Sequence, residues 1–185
     1  TQDGKTLTNT IGIGYVPSGL VNREPGDMSI GWWEGNIYEL SDDVAVCNIA
    51  GNVIVDEVTR NAKITVEIFY TSDSDFNLNY LTIAMTQDSV WGWQSNGEIN
   101  PEQYVDGNYC HMHILRDIIT STWGDVITPT TAGTLIRKTY YYEIPQTIGD
   151  PNGVKVNLDH LHFIAFVSDN TDFGVSYPIQ NVAQL

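Results

Sequence analysis

The sequence predicts a mainly β protein. The expected architecture is an antiparallel β-sandwich, of jelly-roll or immunoglobulin-like type, with a small N-terminal strand-helix appendage. Apolar and polar residues alternate with period two over several stretches, as in half-buried strands. Turn clusters rich in Gly, Pro, Asp and Asn separate these stretches, for example Asp150-Pro151-Asn152-Gly153. The length of 185 residues and a hydrophobic content of 42% suit one domain with a real core and an appendage. Residues 1–40 form the appendage and residues 41–185 the sandwich.

In chain order, the apolar run Ile11-Gly12-Ile13-Gly14-Tyr15-Val16 reads as a short strand, ended by Pro17. Ile30, Trp33, Ile37 and Leu40 then recur at spacings of three, four and three. That spacing predicts a helix over 29–40, packed through Trp33, with Asp27 available as its cap. From Ser41 the period falls to two. Val44–Ile49 and Asn52–Val55 read as strands. Ala62, Ile64, Val66, Ile68 and Tyr70 share one face of the next. Leu81, Ile83 and Met85 share one face of a strand over 78–87. A tyrosine-rich strand runs over 135–144. The run Leu161–Val167 is apolar on both faces from Phe163 onward, which predicts a central strand. A last strand is expected over 174–179.

The formal charge is −15, from 23 acids and 8 bases. Binding nucleic acid or anionic lipid requires clustered Lys and Arg, so both are excluded as expected partners. No run of 18 apolar residues is present, so no membrane-spanning helix is expected. The chain opens at Thr1 without Met, as a trimmed or mature product would. Few charges and many Asn, Thr, Ser and Tyr suggest an exported protein. Cys47 and Cys110 could form one disulfide or remain two buried thiols. No CxxC pair is present, which leaves thiol redox chemistry without support.

Four groups of residues carry possible chemistry. The histidines fall in two pairs, His111/His113 and His160/His162. In a strand, residues i and i+2 share a face, so two adjacent strands could gather four imidazoles around zinc. The alternative is hydrogen-bonded structural histidines. Asp73 and Asp75 carry oxygens at alternate positions, like the start of a calcium loop, and Asp169, Asn170 and Asp172 form a second candidate. Neither has a complete calcium-loop pattern, and Asx turns explain both. Trp91 and Trp93, beside Gln94, could stack on a sugar or insert into a partner; alternatively they close one end of the core. Arg116 could bind an anion, form a buried ion pair with Asp117, or tie loops through backbone carbonyls. No nucleophile-base motif is present, so no catalytic residue is assigned.

The chain resembles an outer-membrane lipoprotein family of Bacteroides-type bacteria, named for a twenty-eight-kilodalton surface protein. The resemblance rests on Val16-Pro17-Ser18-Gly19-Leu20-Val21-Asn22-Arg23 and on the paired strands over 64–87. Trp91-Gly92-Trp93-Gln94, His111-Met112-His113-Ile114-Leu115-Arg116-Asp117 and Phe163-Ile164-Ala165-Phe166-Val167 extend it. It covers roughly residues 11–185. It implies that residues 1–40 are the remnant of a thioredoxin-like segment, with Val16-Pro17 where thioredoxin folds keep a cis-proline. It also implies a cell-surface, outer-membrane location, with membrane association only through a lipid anchor outside this chain.

The expected function is therefore a non-enzymatic envelope module for adhesion or ligand binding, with a protein or glycan ligand at the cell surface. The alternatives are a carbohydrate-binding module and a metal-dependent enzyme using the histidine pairs. No cofactor is required by this reading, calcium or zinc being the candidates.

Overall fold

Two antiparallel sheets face each other across one core in the computed structural model, which describes residues 1–15, 17–23, 29–95, 102–149, 152–169 and 178–185. Helices α1 (Gln2–Ile11) and α2 (Trp33–Leu40) come first. The strands follow: β1 (Cys47–Asp56), β2 (Asn61–Tyr70), β3 (Asn79–Gln87), β4 (Val90–Gly92), β5 (Tyr104–Val105), β6 (Asn108–His111) and β7 (Ile114–Ile118). Then come β8 (Asp125–Ile127), β9 (Leu135–Glu143), β10 (Thr147–Ile148), β11 (Val154–Lys155), β12 (Leu161–Ser168) and β13 (Ile179–Gln184). One sheet has the order β1-β2-β9. The other has the order β13-β12-β3-β7, with β8 also paired to β3. Two small sheets, β4-β6-β5 and β10-β11, stand apart.

The core follows from the period of two. Ala62, Ile64, Val66, Ile68 and Tyr70 project from β2 and are buried, while Asn61, Lys63 and Phe69 are exposed. They meet Leu81, Ile83 and Met85 of β3 and Phe163, Ala165 and Val167 of β12 in one cluster. Each large aliphatic side chain so buried contributes about 1.5–3 kcal/mol. The run expected to be a central strand is β12, held between β13 and β3.

β3 is covered on its second face too. Its outward residues are small, and larger neighbours overshadow them in the register. Thr82 lies beside Phe166 and Ala84 beside Ile164 and Ile118. Thr86 lies beside His162 and Leu115. The N-terminal segment completes this cover. The Arg23 guanidinium lies 4.5 Å from the Phe166 ring centre and 5.6 Å from that of Trp123, held by cation–π attraction on both sides. Asn22 accepts from the Ile179 amide at 2.9 Å. Both residues sit at φ 57°, in the left-handed region, so the strap is bent to fit this face.

The open side of the sandwich is closed by tyrosines. Tyr140 and Tyr142 of β9 donate to Asp125 and Asp117, on β8 and β7 of the opposite sheet. The register between β3 and β7 slips at Met85/Thr86, and Arg116 is the extra residue. It does not pair with Asp117. Its guanidinium donates to the carbonyls of Ile148 (3.3 Å) and Val154 (2.7 Å). Arg60 donates to the carbonyls of Ile144, Pro145 and Val156. Two arginines thus supply the irregular segment 144–156 with the donors that a full sheet would have provided.

At one end of the core lies a polar network. Tyr70 donates to Asn79 Oδ1 at 2.6 Å, and Asn79 and Gln180 donate to Asp169. Asp169 is 4% exposed. Burial, and then the nearby Asp75 carboxylate, push its pKa up to about 6.

Three expectations need correction. The strand expected at 11–16 is not found. Instead α1 runs over Gln2–Ile11, because Thr1 Oγ1 accepts from the Gly4 amide at 3.0 Å, Asp3 sits in the first turn and Gly12 ends the helix at φ 75°. No α1 residue is buried, so there was no apolar period to detect. The helix expected over 29–40 forms as a 3-10 turn (Ile30–Trp32) followed by α2. Trp33 packs against Gly19, its indole donating to the Gly19 carbonyl at 3.2 Å, but Ile30 and Ile37 are exposed. The last described strand, Ile179–Gln184, runs on past the expected end at residue 179. Val16, Asp27, Asn170, Asp172 and residues 174–177 lie outside the described residues.

Arg116→Ala strands two carbonyl partners and should cost about 2–3 kcal/mol. In a chain of this size that lowers the melting temperature by roughly 5–10 °C; an unchanged melting curve would contradict the stapling role. A carboxyl whose folded pKa exceeds its unfolded value binds its proton more tightly when folded. Asp169 therefore contributes stability that is complete below about pH 4 and lost as the pH rises through 6. Relative to the parent, Asp169→Asn should gain on the order of 2 kcal/mol between pH 4 and pH 7, read by urea unfolding at each pH.

Candidate functional site

The four histidines do not share a site. Positive φ at His113 (55°) breaks the chain between β6 and β7, so His111 and His113 are not i and i+2 of one strand. Likewise His160 ends the 3-10 turn Leu158–His160, and His162 lies in β12. The His111 ring packs edge-on to Tyr109, with centroids 5.0 Å apart. One histidine of each pair meets Asp88 instead. Asp88 Oδ1 accepts from the His113 amide at 2.7 Å and lies 3.0 Å from His113 Nδ1. Asp88 Oδ2 lies 3.1 Å from His162 Nε2. Gln184 Nε2 stands 3.1 Å from His162 Nδ1; as a donor there it fixes the tautomer in which Nε2–H donates to Asp88. The His113 amide, and then the two imidazoles, hold the Asp88 carboxyl below its usual range. The carboxylate bridges the two rings and joins the β3–β4 turn to β7 and β12.

The calcium candidates come together only in part. Asp75 is the carboxylate acting on Asp169, but Asp73 accepts from the Ala132 amide at 2.8 Å, as a loop tie. Among the described residues, no group of three or more His, Cys, Asp or Glu is arranged to hold a metal. Cys47 and Cys110 are unbridged. Cys47 is fully buried, and its burial pushes the thiol up to about 11, which leaves it unreactive.

The tryptophans behave differently. Trp91 is 54% exposed and Trp93 79% exposed, so neither closes the core. Short β4 carries Trp91 and pairs with β6 through Trp91↔Cys110, outside the two main sheets. Gln94 follows, also exposed. Beside Trp91 a cavity of about 340 Å³ opens between β4 and the β10–β11 hairpin. Gln87, Ser89, Lys155, Asn157 and His160 line it with Trp91. The hairpin wall is the segment that Arg60 and Arg116 hold. Arg116 itself is 3% exposed and engaged with carbonyls, so it is a support for this wall and not an anion site.

Sequence reasoning missed Asp88, Gln87 and Asn157. Gln87 ends β3, Asp88 follows it and Asn157 caps the 3-10 turn Leu158–His160, positions where polar residues also occur in ordinary turns. Their grouping arises from β3 ending beside the 3-10 turn, where the Asp88 amide donates to the His160 carbonyl at 3.0 Å.

Among solved structures, the chain is similar to HBP35 of Porphyromonas gingivalis, at TM-score 0.73 and 17% identity. The similarity covers 100% of this chain and 56% of that one, so the chain spans little more than half the length of its structural relative. No curated protein matches. Residues 4–184 match the family described as outer membrane protein Omp28, which takes in the Asn22-Arg23 strap, both sheets and the tryptophan-bearing β4. The chain belongs to the Omp28 outer membrane protein family.

Proposed function

We propose that this chain is a non-enzymatic recognition module of an outer-membrane protein, which binds a ligand at the cell surface with the end of the sandwich that carries Trp91 and Trp93. Adhesion is the role this suits. On this reading the protein is held at the membrane by a lipid anchor outside the residues described, and the two N-terminal helices are the tail of a thioredoxin-like segment.

One observation carries the proposal. Trp91 stands on short β4 and Trp93 just past its end, both more than half exposed. Large aromatics left in water are a standing cost, and they are the residues that most often anchor interfaces. The family supplies the setting, an envelope protein. The site around Trp91 offers hydrogen-bonding side chains and a hydrophobic face, the equipment of binding. Its histidine-carboxylate contacts lie at Asp88, where they tie turns together.

The test is binding to immobilised fibronectin, laminin and mucin. The parent should bind at least one of these saturably. Trp91→Ala/Trp93→Ala should weaken that binding by about tenfold or more. Because both side chains are exposed, its melting temperature should stay within about 2 °C of the parent. Absence of binding to all three, or equal binding by the variant, would overturn the proposal.

A further inference from the structure

We infer that the cavity between β4 and the β10–β11 hairpin is a binding site for a neutral saccharide, with Trp91 as the stacking wall and Gln87 as the hydrogen-bond acceptor. This rests on the recognition reading above and names the ligand's chemical class.

The argument starts from Gln87. It is the last residue of β3 and is 3% exposed. Its Nε2 donates to the Lys155 carbonyl at 3.4 Å, which fixes the orientation of the amide, since the flipped form would set two carbonyl oxygens against each other. Its Oε1 then accepts from no group among the described residues. A buried carbonyl without a donor costs about 1–3 kcal/mol, so such atoms in folded proteins call for an explanation. This one belongs to a residue that lines a cavity, and a shift of the side chain toward that space would bring the oxygen within reach of a ligand hydroxyl.

The rest of the lining selects among ligands. Among the described residues no Asp or Glu lines the cavity, so none of them offers a cation a carboxylate there. Among the described lining residues Lys155 is the single Lys or Arg, in a chain of formal charge −15, so an anionic ligand is disfavoured. A peptide could give Gln87 Oε1 a backbone N–H, but an apolar one has no side-chain groups for Ser89, Asn157 and His160. A neutral saccharide meets each demand. Its C–H face can lie on the half-exposed Trp91 ring, and its hydroxyls can donate to Gln87 Oε1 and reach Ser89, Asn157 and His160. The volume of about 340 Å³ falls in the range of small-ligand sites and suits a short oligosaccharide end. The wall is also set in advance. Arg116 donates to the carbonyl of Val154, and Arg60 to that of Val156, on either side of Lys155. Little of the binding free energy then goes into ordering the site.

The experiment titrates the full chain with maltotriose, mannotriose, chitotriose and N-acetyllactosamine, following the tryptophan indole N–H signals by NMR. At least one sugar should bind saturably and shift the Trp91 signal. Trp91→Ala should weaken that sugar about tenfold or more, and Gln87→Leu, which removes the acceptor at similar volume, by about fivefold or more. Trp91→Ala keeps the test decisive even if Gln87→Leu unfolds the chain. No saturable binding up to about 10 mM would overturn the inference, as would sugar binding unaffected by both changes. Binding to immobilised laminin or fibronectin without any sugar binding would overturn the saccharide site while leaving the recognition reading intact. Failure of both sets of ligands would remove both.

Discussion

The structure depends on the burial of β3 on both faces. Its inner residues Leu81, Ile83 and Met85 are fully buried against β2, as any sandwich strand requires. Its outer residues Thr82, Ala84 and Thr86 are also buried, and two of the three carry hydroxyls. Thr82 Oγ1 and Thr86 Oγ1 are buried with no hydrogen-bond partner among the described residues, so this face is covered by packing alone. The solution is lateral. Small residues on β3 sit between larger ones on β12 and β7, and the Arg23 guanidinium lies against both Phe166 and Trp123. The appendage is thereby made part of the domain, with Asn22 fastening it to β13.

Scarce bases are used as staples. There are only 8 Lys and Arg residues against 23 acids, yet three arginines hold backbone or aromatic groups in place. Arg60 and Arg116 grip the same segment from opposite sheets. A guanidinium suits this task because its planar fork offers five donors and keeps its charge when partly buried. Among its described residues, the segment 144–156 has only the two-residue strands β10 and β11 as sheet. Without these donors its carbonyls would be unsatisfied, and the cavity beside Trp91 would lose a wall. The architecture and the candidate site therefore share one set of hydrogen bonds.

The stretch that gathers the rarest residue types, Tyr109–Asp117, is mainly architectural. His113 meets His162 across Asp88, Arg116 reaches the hairpin and Asp117 accepts from Tyr142. Rarity of a residue type marks an environment that few side chains can satisfy. A strand crossing from a small sheet to a main one, with a register slip on the way, is such an environment.

Much of the fold was legible because the hydrophobic period is local. Ile64-x-Val66-x-Ile68 can bury one face in only one way, and the core strand at Phe163–Val167 announced itself by being apolar on both sides. The resemblance to an outer-membrane family was legible too, since Asn22-Arg23 and the His111–Asp117 stretch are written in contiguous residues. The helix α1 was not, because it buries nothing and is held by end caps. Nor was the pairing of His113 with His162, which needs residues 49 positions apart in sequence to meet at one carboxylate. The sequence by itself determined the sandwich, its core faces and the family. Packing between distant segments settled the rest: Trp91 and Trp93 face solvent, Arg116 is a staple and Gln87 Oε1 has no donor among the described residues. Exposure and hydrogen-bond satisfaction depend on what distant segments bring alongside, and no local pattern encodes that.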